Sequence, residues 1–256
     1  MESLVCHFSH LLDAVIWKQQ VDPVKQLLVL ELRDPETRTV SFQCIQLING
    51  EIYNPFTPEE EDWWIGIEQV QSGFALIHHY LHEEQPVRNG LDCYSIPEWK
   101  LKWQLPEAQF LEISNSTVNI LDSNESRTIS LSTGEDIASE FGQTNTALNT
   151  QFPEQFPADH SHFKTVAQFL QERWGYQAVE GLEYLEHKAL VLISYYLYTD
   201  QKLENYLLVM KDDGEVIFQD CLGTQLSGIA LDTFFIYEEQ LIFVKQKNEI
   251  ISLLLG

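Results

Sequence analysis

Apolar residues fall along this chain in short runs of strand length, separated by polar turns, and one layout recurs. An apolar strand is followed by a polar turn, a second strand, a tight glycine turn and a third strand. In the first copy, Leu27-Leu28-Val29-Leu30-Glu31-Leu32 leads through Arg33-Asp34-Pro35-Glu36 to Val40-Ser41-Phe42-Gln43-Cys44-Ile45, then Asn49-Gly50-Glu51 and Ile52-Tyr53. The second runs Phe74 to Tyr80, Leu91-Asp92-Cys93-Tyr94, Pro97-Glu98 and Leu101-Lys102-Trp103. A shorter copy is Val118 to Leu121, Thr128 to Leu131 and Thr133-Gly134-Glu135. The clearest is Ala189 to Tyr198, Tyr206 to Met210, Asp212-Asp213-Gly214 and Glu215 to Phe218. Asn-Gly and Asp-Gly between apolar runs mark hairpins, because both residues accept positive φ in a tight turn.

Four hairpin units with one internal layout argue for repetition around an axis or along a line. A last set (Ile229 to Phe235, Gln240 to Val244, Ile250 to Leu253) lacks an outermost strand, and Ala14-Val15-Ile16-Trp17-Lys18 reads as a strand without a blade. Pairing the two leaves no open edge between the termini. The pattern predicts one all-β domain over 1–256, a small five-bladed β-propeller. Its blades fall at about 20–56, 60–106, 109–142, 179–222 and 226–256 plus 14–18. Residues 143–175 form an insertion. From Gly142 to Ala158 the chain is polar and reads as a loop. A helix follows over about 160–174, capped by Asp159 or Ser161, with Phe163, Val166, Ala167, Leu170 and Trp174 on one face and Gly175 at its end.

The residues around the turns resemble the repeat of quinoprotein-type propellers, roughly A-x-D-x-x-T-G-K-x-x-W. Cys93 to Trp103 keeps the Lys and the closing Trp, Cys44 to Asn54 keeps Gly50, Thr128 to Ala138 keeps Thr133-Gly134, and Leu208 to Phe218 keeps Gly214 with an aromatic close. The Asp position holds Gln46, Ser95, Ser130 and Met210. The chain thus resembles an uncharacterised bacterial family with degenerate quinoprotein-like (PQQ/WD40-like) β-propeller repeats. The vicinal cysteines and calcium site of quinone-binding dehydrogenases have no counterpart here, so no cofactor is expected.

Charge narrows the partners. Acidic residues number 39 against 15 basic ones, a net charge of −24, with no Lys/Arg cluster. Phosphate backbones and anionic membranes repel such a surface, so neither nucleic acid nor membrane is an expected partner. The start, Met1-Glu2-Ser3-Leu4, lacks a basic segment followed by an apolar one, and no apolar run reaches membrane-spanning length. Cys6, Cys44, Cys93 and Cys221 are far apart without CxxC spacing. They read as small buried hydrophobes in a reducing cytoplasm.

Three features carry candidate chemistry. In Glu59-Glu60-Glu61-Asp62-Trp63-Trp64, Trp63 and Trp64 are binding candidates for a cation or a sugar, since aromatic faces stack on both. The alternative is a solvated acidic loop entering an inner strand whose indoles fill the core. Carboxylates near a propeller axis can cleave glycosides, which makes Asp62, Glu68, Glu112 and Glu183 catalytic candidates. His78 and His79 are successive, so on a strand they face opposite ways, and His82 lies too far along to complete a metal site. His160 and His162 sit at the helix start. The run Asp122-Ser123-Asn124-Glu125 lacks the Gly and distal Glu of a calcium loop and reads as a hairpin turn. The leading expectation is a non-enzymatic binding or scaffold propeller with a protein or small-molecule partner. The alternative is a carbohydrate-active hydrolase.

Overall fold

The computed structural model describes residues 4–58, 63–82, 85–114, 116–137 and 150–255. Within them the chain is all-β with a single helix, built from five small antiparallel sheets. It divides into two compact units, one of Met1–Asp13 with Asn149–Gly256 and one of Ala14–Leu148.

Strand β1 (Val5–Leu11) belongs to the first unit, and its pairing is given below with the strand it meets. The second unit opens with β2 (Val15–Asp22), β3 (Leu27–Asp34) and β4 (Thr39–Gln46), hydrogen-bonded in that order. The apolar run Leu27 to Leu32 becomes the central strand, buried on both faces. Its turn into β4 is set by Asp34, whose Oδ1 accepts the N–H of Glu36 at 2.9 Å. The expected third strand at Ile52-Tyr53 is reduced to isolated bridges, Ile45 to Ile52 and Phe42 to Phe56.

The next sheet is β5 (Ile65–Gln71), β6 (Phe74–His82), β7 (Gln85–Ser95) and β8 (Lys100–Leu105), followed by the three strands β9 (Gln109–Ile113), β10 (Thr117–Asp122) and β11 (Glu125–Ser130). The β10–β11 turn uses Ser123 and Asn124 at φ 52° and 68°, so Asp122 to Glu125 is the hairpin expected there. Strand period two divides the β5–β8 sheet. Ile77 of β6 faces a core shared with Val29, Phe42 and Cys44, while Leu76, Leu91, Cys93 and Trp103 face a core shared with Val118, Ile120 and Ile129.

In the first unit, β12 (Thr150–Gln151) and β13 (Glu154–Pro157) replace the loop expected over 142–158, of which 142–149 lie outside the described residues. Both are sheet-edge strands; Pro153 falls between them, and Pro157 ends β13 at an edge, where it costs no ladder bond. Helix α1 (Ser161–Trp174) ends at Gly175 in the left-handed region, φ 78°. Its N-cap is His160 rather than Asp159 or Ser161, the imidazole Nδ1 accepting the N–H of His162. Phe163 and Leu170 are buried against Phe156, Leu182 and Tyr195, with Trp174 half-buried beside them.

Then β14 (Val179–His187), β15 (Leu190–Thr199), β16 (Lys202–Lys211) and β17 (Val216–Leu226) complete the sheet that β13 begins. Strands β18 (Phe234–Tyr237), β19 (Gln240–Lys245) and β20 (Glu249–Leu254) form the last sheet with β12 at one edge and β1 at the other. The partner of β20 is therefore residues 5–11, from Val5 opposite Leu254 to Leu11 opposite Glu249, and not 14–18. The reason is local: Val15–Asp22 reaches Leu27–Asp34 through a four-residue turn, and so short a closure outcompetes a distant edge.

All four cysteines are free, and only Cys44 and Cys93 are buried, Cys6 being exposed and Cys221 half-buried. Among the described residues no helix is long and apolar enough to cross a membrane.

Candidate functional site

The β5–β8 sheet builds a site on one of its faces. Asp92 of β7 stands opposite Ile77 on one side and Gln104 on the other, and Tyr94 opposite Leu101. A bulge between Cys93 and Tyr94 lets positions 101 and 104 share that face despite their odd spacing. Asp92 Oδ2 lies 3.0 Å from His79 Nε2 and accepts from Gln104 Nε2 at 3.2 Å. Across from these polar groups stand Phe56, Tyr94 and Trp99, enclosing a cavity of about 440 Å³. Phe56 and Trp99 stack at 5.1 Å and 12°. Trp99 sits in the turn before β8 at φ 52°, a strained value for a bulky residue, held by its contacts with Phe42 and Phe56.

Trp99 is only 8% exposed, and its Nε1–H has no hydrogen-bond partner among the described residues. Buried indole donors are normally satisfied by an acceptor. Tyr94 is pushed up from the ordinary phenol pKa by burial and by the charge of Asp92, so it stays a neutral donor.

A second polar group lies where β2 and β3 meet β5. Arg33 gives Nε–H to Glu31 Oε1 at 2.7 Å and its terminal nitrogens to the carbonyls of Trp63 (2.9 Å) and Ile65 (2.7 Å). Glu31 Oε2 accepts the N–H of Ile67 at 2.9 Å, and Lys18 Nζ donates to the Ile67 carbonyl at 2.6 Å. The guanidinium lies between two indoles, 4.9 Å from Trp63 and 5.3 Å from Trp17. These bonds join strands of neighbouring sheets and give the buried Glu31–Arg33 pair further hydrogen bonds, the condition under which a buried ion pair is tolerated.

The residues singled out in the sequence separate. Glu59 to Asp62 lie outside the described residues. Trp63 covers Arg33, and Trp64 meets Tyr80 edge-on at 6.4 Å, so neither lines the aromatic cavity. Glu68 is held by Arg88 at 2.9 and 3.1 Å and lies 3.0 Å from His78. Burial pushes its carboxyl up, but the hydrogen bond to His78 and the charges of Arg88, His78 and Lys18 outweigh this and hold it below the usual range. Glu112 is exposed and accepts from Asn119 at 2.8 Å.

Glu183, 2% exposed, accepts the N–H and hydroxyl of Thr233. Burial pushes it up to about 7 against the opposing bonds from Thr233. Thr233 Oγ1 is also 2.9 Å from Ser194 Oγ, and one hydroxyl proton cannot serve both, so a protonated Glu183 satisfies the set.

His78 and His79 do face opposite ways, towards Glu68 and Asp92 respectively. Among the described residues no three His, Cys, Asp or Glu gather as a metal site. The aromatic cavity was missed because Phe56, His79, Asp92, Tyr94, Trp99 and Gln104 come from four separate segments. Its one trace in the sequence is the closeness of Tyr94 and Trp99.

Residues 21–103, less than half of the chain, match the family described as Domain of unknown function (DUF4905). No curated protein matches the chain. Among solved structures, it is similar to a member of the DUF4221 family from Bacteroides vulgatus, at 10% identity over 98% of this chain and 97% of that one, with a TM-score of 0.38. It is also similar to the β-propeller domain of the Trilobed protease from Pyrococcus furiosus, at 9% identity over 91% and 65% respectively, with a TM-score of 0.33. Both scores lie below the level that establishes a shared fold.

Proposed function

We propose that the five sheets are the blades of a small cytoplasmic propeller with degenerate quinoprotein-like repeats, and that the chain is a non-enzymatic binding protein for a small neutral polyol such as a sugar. The observation that carries this reading is the cavity walled by Phe56, Tyr94 and Trp99 with Asp92 and Gln104 in its lining, beside a Trp99 Nε1–H that has no hydrogen-bond partner among the described residues. A sugar offers an acceptor to that donor, hydroxyls to Asp92 and Gln104, and a C–H face to the aromatic wall. Recurring hairpin units and the β1–β20 pairing support the propeller, and four unpaired cysteines fit a reducing compartment.

The alternative, a glycoside hydrolase, draws less support. Glu68 is ion-paired with Arg88, Glu112 is an exposed partner of Asn119, and Glu183, whose pKa is raised, is enclosed by Thr233. Calorimetric titration with glucose, galactose, ribose and N-acetylglucosamine tests the proposal. At least one should bind saturably without being consumed, and Asp92→Ala should weaken it about tenfold, as expected for losing a charge-assisted bond. Turnover of any of them, or heats indistinguishable from dilution for all four, contradicts it.

A further inference from the structure

We propose that Trp174, Tyr176, Tyr195 and Tyr206 form a relay that carries a one-electron oxidation from the end of α1 to Tyr206. Their rings stack in one line. Trp174 and Tyr176 lie 6.3 Å apart at 19°, Tyr176 and Tyr195 5.6 Å at 20°, and Tyr195 and Tyr206 5.7 Å at 20°. The line follows from the chain: Trp174 ends α1, Tyr176 comes just past the Gly175 cap, and Tyr195 of β15 stands directly opposite Tyr206 of β16. Trp174 and Tyr206 are half-buried and Tyr195 is fully buried, so the line runs through the interior between two ends that solvent reaches. Near-parallel rings at these spacings overlap their π systems, and indole and phenol are the aromatic side chains that give up one electron most readily.

The hydrogen bonds give the line a direction. A phenol that loses an electron becomes a strong acid, so it holds the radical where a base takes its proton. Tyr206 Oη donates to Glu204 Oε2 at 2.6 Å. Tyr195 Oη instead accepts from Gln219 Nε2 at 3.0 Å, and Tyr176 Oη meets Gln219 Oε1 at 3.4 Å, an amide and not a base. An indole can lose an electron and keep its proton. A one-electron oxidant of the carbonate-radical class therefore takes an electron from Trp174, and each ring in turn refills the one before it. Tyr206 loses the last electron as its proton passes to Glu204, leaving a neutral tyrosyl radical, a protonated carboxyl and the reduced oxidant. A soluble reductant of the ascorbate class returns one electron to Tyr206, Glu204 returns the proton, and the relay is restored. The relay lies in a different unit from the aromatic cavity, and its success or failure leaves the sugar reading untouched.

The test is flash photolysis of the full chain with photogenerated ruthenium(III) tris-bipyridine as the oxidant, read by the absorption band of the tyrosyl radical. Tyr206→Phe should remove a fraction of that signal. Trp174→Phe and Tyr195→Phe should each remove the same fraction, since the oxidation reaches Tyr206 through them. Glu204→Gln keeps the stack and removes the base, so it should do likewise, and it serves as the second variant if a ring substitution does not fold. Tyr198 is the control, because its Oη also donates to a carboxylate, Glu180 at 2.7 Å, from a ring outside the stack. The fraction that Tyr206→Phe removes should be unchanged in a Tyr198→Phe background. Three results overturn the proposal: no loss of tyrosyl signal in Tyr206→Phe, a Tyr206 radical formed undiminished in Trp174→Phe or Tyr195→Phe, or one formed undiminished in Glu204→Gln.

Discussion

Trp103 closes over Gly134 so tightly that a β-carbon on the glycine would stand 2.7 Å from Trp103 Cγ. The indole Nε1–H donates to the Leu131 carbonyl at 2.8 Å, and Gly134 sits at φ 72°, so ring and turn hold each other in place. Trp103 lies on β8 and Gly134 in the turn after β11, which makes this contact a link between two sheets of the unit.

Gly134→Ala should therefore destabilise the protein by about 1–3 kcal/mol through overpacking, with backbone strain adding to it. Urea unfolding of the two proteins measures the difference. A change near zero would mean that the Trp103 ring moves aside freely.

Arg33→Met should cost about 3–5 kcal/mol, because it strands the Glu31 charge in the interior. Adding Glu31→Gln should recover part of that loss, since the amide still accepts the Ile67 N–H without needing a cation. If the second substitution worsens stability further, the carboxylate is not the burden the geometry implies.

Glu183 makes stability depend on pH in a direction opposite to that of most carboxylates. Its folded pKa, about 7, stands above its ordinary 4.5, so the folded state holds the proton more tightly. The contribution is fully present below pH 4.5 and is lost as pH rises to about 7, on the order of 2–3 kcal/mol. Glu183→Gln keeps a neutral group at every pH, so its stability relative to the parent should rise between pH 5 and pH 8. A constant difference across that range would show that Glu183 is ionised in the folded protein at pH 5.

Elements whose determinants are adjacent in sequence were legible, and those assembled from afar were not. The helix over 161–174 follows from its apolar spacing and Gly175, and the turn at Asp213-Gly214 from residues that accept positive φ. The closing strand was misassigned to 14–18 because only that segment stands out as an apolar run near the start of the chain. That Leu27–Asp34 takes it as a partner, leaving β20 to residues 5–11, is written in neither segment alone. The edge strands β12 and β13 were hidden by Pro153 and Pro157, which are strand breakers everywhere except at an edge. Among the site candidates, Glu68 is half-buried and Glu183 buried, but their partners Arg88 and Thr233 follow by 20 and 50 residues. Trp99 carried no motif, since an unmet donor is a property of its surroundings and not of its neighbours in the chain.

The most direct test of the binding account is the indole N–H resonance of Trp99 in a two-dimensional proton–nitrogen spectrum, assigned by its loss in Trp99→Phe. Titration with the best-binding sugar should shift that resonance saturably and slow its exchange with solvent if the ligand gives Nε1–H the acceptor it does not find among the described residues. The same titration of Trp99→Phe should show binding weakened about tenfold. A sugar that binds while the Trp99 resonance stays unmoved, or that binds Trp99→Phe equally well, would contradict the assignment of this cavity as the site.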